Sequence, residues 1–166
     1  MKEKIYTQQE IMETLIPVLK SEGLLYKKSK AVFARKAKPG ERINSITSDG
    51  FETTNTAKEG GFVVKNQTTA QELYIVGGDK FKERYEFLEE TEDGFAIYKA
   101  KGKVIAIQIT KNFLKEMKFE KKFLFIAPWD EEVVVKKDDF LVCPPDYSEI
   151  YRIARKEFFE TYCLDE

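Results

Sequence analysis

The first apolar pattern along the chain is helical. Apolar residues recur at three- and four-residue spacing near the N-terminus, at Ile11, Met12, Leu15, Ile16 and Leu19. Thr7 and Glu10 form a capping-box pattern just before them, and Gly23 supplies an end signal. Because Pro17 lies inside the pattern, we expect a kink or two short turns there. The predicted helix either covers one side of a sheet or docks a partner.

Beyond this helix, β-prone runs alternate with turn residues. The predicted strands are residues 31–37, 43–47, 51–56, 62–65, 72–76 and 123–129. Ser48-Asp49-Gly50 lies between the second and third runs, and Asp-Gly in that position indicates a hairpin. Gly77-Gly78 ends the fifth run and precedes a short helix predicted at 79–87. The pattern therefore predicts hairpins with short helices attached.

The stretch 61–85 returns, with one residue deleted, at 140–162. Matching positions place Glu72, Tyr74, Phe81, Glu83 and Tyr85 on Glu149, Tyr151, Phe158, Glu160 and Tyr162. Such a repeat predicts two similar units of hairpin and short helix that pack together. We expect Tyr74 and Tyr151 to be largely buried against the core pairs Phe81/Tyr85 and Phe158/Tyr162. Residues 95–117 resemble a degenerate third copy, and the pattern leaves open whether this is repetition or chance.

Together these elements predict an α+β fold in which an N-terminal helix and short helices pack on twisted antiparallel β-hairpins with an internal pseudo-repeat. Tight turns between strands favour antiparallel pairing over parallel crossovers. We expect one compact body, since no Ser/Gly-rich linker divides the chain. Its predicted segments are an N-terminal helix and connector (1–29), a first repeat unit (30–88), connecting strands with a short helix (89–121) and a second repeat unit (122–166).

The charge balance and the absence of histidine exclude several classes of protein function. The 166 residues contain 28 Lys and Arg against 29 Asp and Glu, so no global charge attracts nucleic acid or an anionic membrane. No histidine is present, which excludes His-dependent triads and the commonest zinc ligand. Segment 27–38 mixes cations with aromatic residues, as single-stranded nucleic-acid sites do, but a solvated strand face produces the same pattern. We expect no nucleic-acid partner.

Cysteine use and hydropathy suggest a location. Cys143 and Cys163 have no metal-site spacing, and we interpret them as small half-buried hydrophobic residues and not as a disulfide. The N-terminus has no signal-peptide pattern, and no stretch approaches the ~20 apolar residues of a membrane span. We therefore expect a cytoplasmic protein without a cofactor or metal. Its oligomeric state stays open.

The repeat also marks the best candidate site residues. Glu72 shares a strand face with Tyr74, as Glu149 does with Tyr151, so either carboxylate could be a general base or could bind backbone amides or a lysine at a strand end. Gly77-Gly78 before a helix suits a phosphate or a simple strand end. The candidate catalytic residues are Glu72 and Glu149, and the candidate ligand-binding residues are Arg35, Lys65, Tyr74, Tyr151 and Arg155.

Segment 54–64, with Glu72-Leu73-Tyr74 and Phe81…Tyr85 after it, resembles the PGDYG-domain family of small bacterial and phage proteins. Segment 148–153, with Phe158 and Tyr162, is similar to the same domain in tandem. The family's Pro-Gly-Asp-aromatic turn is replaced here by Glu59-Gly60-Gly61-Phe62 and by Lys137-Asp138-Asp139-Phe140. The resemblance supports the predicted fold of hairpins and short helices and implies no established activity.

Two function hypotheses follow from these observations. The first is a non-catalytic binding or accessory module, bacterial or phage, that contacts a protein or small ligand through a groove between its pseudo-repeats. The alternative is a His-free enzyme that acts on a nucleotide or phosphate-bearing substrate. In that enzyme Glu72 or Glu149 would be the general base, and Arg35 or Arg155 would hold the anion.

Overall fold

The computed structural model describes residues 4–165, with position 52 described by its backbone alone. Helices account for 22% of the protein and strands for 43%, so the fold is α+β and mostly β, as predicted. The helices are α1 (Gln8–Glu22), α2 (Gly78–Arg84), α3 (Lys111–Glu116) and α4 (Arg155–Thr161). The strands are β1 (Ile5–Tyr6), β2 (Leu24–Lys28), β3 (Val32–Lys36), β4 (Arg42–Thr47), β5 (Gly50–Thr56), β6 (Phe62–Asn66), β7 (Leu73–Val76), β8 (Tyr85–Glu90), β9 (Ala96–Ala100), β10 (Lys103–Gln108), β11 (Lys122–Ile126), β12 (Glu132–Lys136), β13 (Phe140–Cys143), β14 (Tyr151–Ile153) and β15 (Tyr162–Leu164).

Helix α1 begins at the predicted capping box. Thr7 Oγ1 accepts a hydrogen bond from the Glu10 amide, and Glu10 Oε1 accepts one from the Thr7 amide, both at 3.0 Å. These bonds satisfy two of the amides that a helix start leaves open. The helix continues through Pro17 as one element, so the prediction of two short turns is wrong.

Two five-stranded sheets have strand orders β7-β6-β3-β9-β8 and β14-β13-β10-β2-β15. A three-stranded sheet has the order β1-β11-β12, and β4 pairs with β5 alone. The β4–β5 pair confirms the Asp-Gly hairpin, since Thr47 faces Gly50 across the turn. Among the strand pairs with a described register, only β1–β11 is parallel. The antiparallel prediction therefore holds for the hairpins.

The described residues divide into two compact units that do not follow chain order. The terminal unit contains residues 4–26, 103–158 and 164–165, and the central unit contains residues 27–102 and 159–163. These limits differ from the predicted segments 1–29, 30–88, 89–121 and 122–166. Packing sets the observed limits, because β9 and β10 follow each other in the chain and belong to different sheets. The single compact body stays a prediction.

In the central unit, helix α2 packs on the β6–β7 hairpin. Phe62 of β6 faces Val76 of β7, and the Phe81 ring of α2 stacks on Phe62 at 3.9 Å between centroids and 10° between planes. Phe81 stacks in turn on Tyr85 at 5.0 Å. The buried core here consists of Val32, Ala34, Val64, Val76, Phe81 and Tyr85.

In the terminal unit, Phe158 of α4 packs on the β13–β14 hairpin in a similar way. Phe140 of β13 faces Ile153 of β14, and the Phe158 ring stacks on Phe140 with 3.8 Å between centroids and 9° between planes.

A larger core of the terminal unit lies around helix α1. Its buried members are Ile11, Leu15, Leu19, Ile109, Phe113, Leu114, Phe123, Phe125, Ala127, Val133, Val135, Leu141, Cys143 and Ile150.

Several local predictions need correction. The helix predicted at 79–87 ends at Arg84, because Tyr85 begins strand β8, which was not predicted. Strand β2 also lies where a connector was predicted. Strands β9 and β10 lie in different sheets, so residues 95–117 form no third hairpin. Tyr74 and Tyr151 are half-buried and not largely buried, while Phe81, Tyr85, Phe158 and Tyr162 are buried as predicted.

Candidate functional site

The two proposed catalytic glutamates have different environments. Glu72 is 7% exposed, and its Oε1 accepts a hydrogen bond from Thr68 Oγ1 at 2.9 Å. Glu149 is half-buried in the loop before β14. The two residues belong to different units. The described partner of Glu72 is thus a threonine hydroxyl, and neither the general-base role nor a bond to backbone amides or a lysine is established for it.

Two of the candidate ligand-binding cations, Arg35 and Lys65, lie beside one aromatic ring. Arg35 Cζ is 5.6 Å and Lys65 Nζ is 4.7 Å from the centroid of Phe95. The Arg35 guanidinium also forms two hydrogen bonds with the Glu41 carboxylate, at 3.1 and 2.5 Å. The bond from Arg35, together with that from the Lys38 amide, lowers the pKa of Glu41 to about 2. Arg35 is thus engaged by a carboxylate and an aromatic ring.

Tyr74 belongs to a cluster that was not predicted, which we call the Lys28 cluster: Lys28, Asn66, Tyr74 and Tyr85. Lys28 Nζ donates hydrogen bonds to the hydroxyls of Tyr74 at 2.8 Å and Tyr85 at 2.5 Å. The Tyr74 hydroxyl donates to Asn66 Oδ1 at 3.1 Å and lies 3.2 Å from the Tyr85 hydroxyl. The ammonium also lies 4.9 Å from the Tyr85 ring centroid. The cluster thus joins β2, β6, β7 and β8.

Within the Lys28 cluster, the pKa of the Tyr85 phenol is lowered. Burial alone would raise the pKa of this phenol, but the Lys28 charge and the hydrogen bonds from Lys28 and Tyr74 outweigh burial and lower it. A lowered phenol pKa is suited to proton transfer in principle. Here the hydroxyls and the ammonium already bind one another, so the arrangement first of all stabilises the packing of these strands.

The remaining candidates, Tyr151 and Arg155, lie in the terminal unit. Tyr151 is half-buried in β14, and Arg155 is exposed at the start of α4. The candidate residues of the central unit are Arg35, Lys65, Glu72 and Tyr74. Among these four, the described contacts bring together only Arg35 and Lys65, around Phe95.

Strand β8 and the turn after it, residues 85–93, form a surface that we call the acidic edge. Strand β8 is the last strand of its sheet, so its outer side carries no partner strand in the described part of the chain. Phe87 is 53% and Leu88 is 52% exposed. The acidic residues of this segment are Glu86, Glu89, Glu90, Glu92 and Asp93, and the segment contains no Lys or Arg. The acidic edge thus combines open backbone groups, two exposed apolar side chains and one sign of charge.

A second exposed apolar pair lies at the end of the β4–β5 hairpin. Ile46 and Phe51 face each other across the strands and are 55% and 65% exposed. The opposite face of this hairpin is polar and buried. There Ser45 Oγ donates to the Leu73 carbonyl at 2.6 Å, and Asn55 Oδ1 accepts from the Ile75 amide at 3.2 Å. The hairpin therefore satisfies backbone groups of the edge strand β7 with its side chains.

No metal-binding group of side chains and no membrane-spanning helix is found among the described residues. Residues 4–165 contain no group of three or more His, Cys, Asp or Glu side chains placed to hold a metal ion. None of the described helices combines the length and apolar character needed to cross a bilayer. Cys143 is buried, Cys163 is exposed, and both are free thiols, so neither is half-buried as predicted. Burial raises the pKa of the Cys143 thiol to about 11.

Comparison with known proteins adds no family. No family model, no curated protein and no solved structure matches the chain. The resemblance to the PGDYG-domain family therefore stays a prediction.

Sequence reasoning missed Lys28 because a single lysine in the run Tyr26-Lys27-Lys28 resembles any solvated strand residue. It missed Phe87 and Leu88 because their segment was taken for the end of a helix and a connector.

Proposed function

We propose that this protein is a non-catalytic protein-binding module, and that the acidic edge is its recognition surface. The observation that carries the proposal is the adjacent pair Phe87 and Leu88, each more than half exposed, on a strand without an outer partner. Exposed apolar side chains on an edge strand are an aggregation hazard unless a partner covers them. Glutamates limit self-pairing of such an edge, whereas Phe87 and Leu88 work against that protection.

The enzyme alternative receives less support. It required Arg35 or Arg155 to hold an anion beside Glu72 or Glu149. The Arg35 guanidinium instead binds Glu41, and the described partner of Glu72 is the Thr68 hydroxyl. A thermal-shift screen against nucleotides, sugars and metal ions tests this alternative. A true ligand at ~100 times its dissociation constant would add about 2.7 kcal/mol to the stability, and such a result would favour the enzyme.

We also infer that the two hairpin–helix units are diverged copies of one module. Equivalent backbone bonds support this: the Gly61 amide donates to Lys58 and the Asp139 amide to Lys136, both at 3.2 Å. The Gly61 and Asp139 carbonyls accept from strand-end amides at 2.8 and 2.7 Å. Preceding residues Gly60 and Asp138 both have positive φ, at 82° and 78°. An accessory role in a bacterium or phage belongs to the same proposal through the resemblance to the PGDYG-domain family.

A reducing compartment, the cytoplasm, is the proposed location. The free and exposed thiol of Cys163 supports it, because exposed thiols persist best under reducing conditions.

Peptide selection tests the binding proposal directly. The full chain is immobilised and challenged with a display library of random short peptides, and enriched peptides are measured against three proteins. We expect binding by the wild type, loss with the double variant Phe87→Ser/Leu88→Ser, and retention with Phe51→Ser. Phe51 is the matched control because it is also an exposed phenylalanine on a strand. Absence of enriched peptides, or equal binding to the double variant, would contradict the proposal.

A further inference from the structure

We infer that the occupant of the acidic edge is an extended protein segment rich in Lys and Arg, which pairs with β8 as an additional strand. This inference rests on the proposed function and specifies the chemistry of the partner. It is carried by three properties of the same surface: its charge, its open backbone edge and the alternation of its side chains.

The charge of the acidic edge selects the partner. Glu86, Glu89, Glu90 and Glu92 are exposed, and no hydrogen bond or ion pair of their side chains is described within residues 4–165. Lys99, the residue opposite Glu86 on β9, is the nearest cation by strand register. Several carboxylates on one edge repel an acidic strand and attract a basic one, which gives specificity and faster association.

The backbone of β8 offers the means of attachment. An edge strand presents alternate unpaired N–H and C=O groups, and an extended peptide can complete them by strand addition. A bulge lies between Phe87 and Glu89, so Leu88 is the extra residue and interrupts the pairing with β9. Bulges limit long edge-to-edge association, and a short partner segment is therefore favoured over an extended sheet.

Side-chain alternation specifies what the partner carries. Tyr85 and Phe87 are two residues apart and share one face of the strand. The Phe87 ring packs edge-on against Tyr98, with 5.7 Å between centroids, so its exposed part is held in place for contact. An apolar partner residue fits beside Phe87, and Lys or Arg fits beside Glu86 and Glu89, which by register with β9 lie on the opposite face of the strand from Phe87. The expected motif alternates apolar and basic residues.

Defined peptides test this inference by fluorescence anisotropy. The probe is a short synthetic peptide that alternates Lys with Val or Ile. The controls are the same peptide with Glu in place of Lys, and the Lys peptide N-methylated at alternate amides. We expect the Lys peptide alone to bind, with affinity that falls between about 0.05 and about 0.5 M salt because the surface charges are screened. N-methylation should weaken binding at least about tenfold, or about 1.4 kcal/mol, since it removes the backbone bonds of one edge.

Protein variants locate the site. Glu89→Lys/Glu90→Lys should abolish binding of the Lys peptide, whereas Glu116→Lys/Glu120→Lys, an equal charge change at exposed residues of the terminal unit, should retain it. Unchanged unfolding midpoints show that both variants are folded. Equal binding by the N-methylated peptide, or by Glu89→Lys/Glu90→Lys, would overturn strand addition at this edge. If the library instead selects acidic or neutral peptides that depend on Phe87 and Leu88, the inference fails while the proposed function stands.

Discussion

The β6–β7 hairpin of the central unit and the β13–β14 hairpin of the terminal unit differ most at one pair of equivalent positions. Gly61 lies beside Ile75, where a Cβ on Gly61 would be 3.6 Å from Ile75 Cγ2. The equivalent residues in the terminal unit are Asp139 and Arg152, which form a buried ion pair with bonds of 2.9 and 3.0 Å. Asp139 also accepts from the Lys136 amide at 3.0 Å. One backbone geometry is thus compatible with an apolar contact or with a hydrogen-bonded ion pair.

This difference shows that the two hairpins share their strand register and their aromatic stack, whereas the residues at this pair of positions can vary. A buried ion pair is costly to desolvate and gives little net stability, but breaking it leaves an isolated charge. The apolar pair has no such liability. The two hairpins should therefore respond alike to loss of their aromatic stack and differently to changes at this pair.

The largest expected effect is common to both hairpins. Phe81→Ala and Phe158→Ala each remove one ring of a stack with centroids less than 4 Å apart, from residues 2% and 0% exposed. Each should lower the free energy of unfolding by about 3–5 kcal/mol. Urea denaturation measures the loss. Unequal losses, with one of them below about 1 kcal/mol, would contradict the inference that the units are copies of one module.

The second largest expected effect is confined to the β13–β14 hairpin, which contains the Asp139–Arg152 ion pair. Asp139→Ala removes both bonds to the buried Arg152 guanidinium and the bond from the Lys136 amide, and it should cost about 3 kcal/mol. The double change Asp139→Gly/Arg152→Ile installs the residues of the central unit, and it should recover most of that loss because both charges are gone. Denaturant unfolding of the single and double variants measures the recovery. A double variant no more stable than Asp139→Ala would show that the two sites are not interchangeable.

Side-chain bonds to edge strands provide a third, smaller contrast. Gln8 binds both backbone groups of Ile150, before β14, at 2.7 and 3.1 Å, and the Ile126 carbonyl at 2.8 Å. Ser45 gives β7 a single bond to the Leu73 carbonyl. At about 1 kcal/mol per net hydrogen bond, Gln8→Ala should cost about 2–3 kcal/mol and Ser45→Ala about 1 kcal/mol. Amide hydrogen exchange should accelerate at Ile150 in the first variant, with exposed Gln9→Ala as its control.

The smallest effect compares the buried pair with the surface pair Arg35–Glu41. The pKa of Glu41 is about 2 when folded, below its ordinary value near 4.5. Its contribution to stability is therefore present above about pH 4.5 and is lost as the pH falls toward 2. Glu41→Gln should flatten the pH dependence of the unfolding midpoint in that window, and it should slightly lower the midpoint at neutral pH, where the charged pair contributes. Glu120→Gln, an exposed residue elsewhere, is the control, and an unchanged slope in Glu41→Gln would contradict the assignment.

The sequence predicted the elements that local signals determine. Thr7 and Glu10 located the start of α1, the turn at Asp49-Gly50 located a hairpin, and the aromatic spacing identified Phe81 and Phe158 as core. The pairing of β9 and β10 was mispredicted because neighbours in sequence need not be neighbours in a sheet, and only long-range packing decides their partners.

The candidate site was harder to predict than the fold. Strand β8 escaped notice because Phe87 and Leu88 are adjacent, so residues 86–90 show no strict alternation of apolar and polar residues. Tyr74 is half-buried because its hydroxyl reaches Lys28, a contact between residues far apart in sequence. Glu72 was a reasonable site candidate from its strand position, but only coordinates identify Thr68 as a partner. Chemistry at a site depends on such long-range neighbours, which no local pattern contains.

The position of β2 between β10 and β15 has a consequence for biosynthesis. As the ribosome releases the chain from its N-terminus, β2 appears early, while both of its partner strands are made much later. The β6–β7 hairpin and α2, by contrast, are close in sequence and can associate while translation continues. During that interval β2, with Leu24 and Leu25, is an unpaired apolar segment open to chaperones or to wrong partners. This sheet can therefore be completed only after β15 has been synthesised.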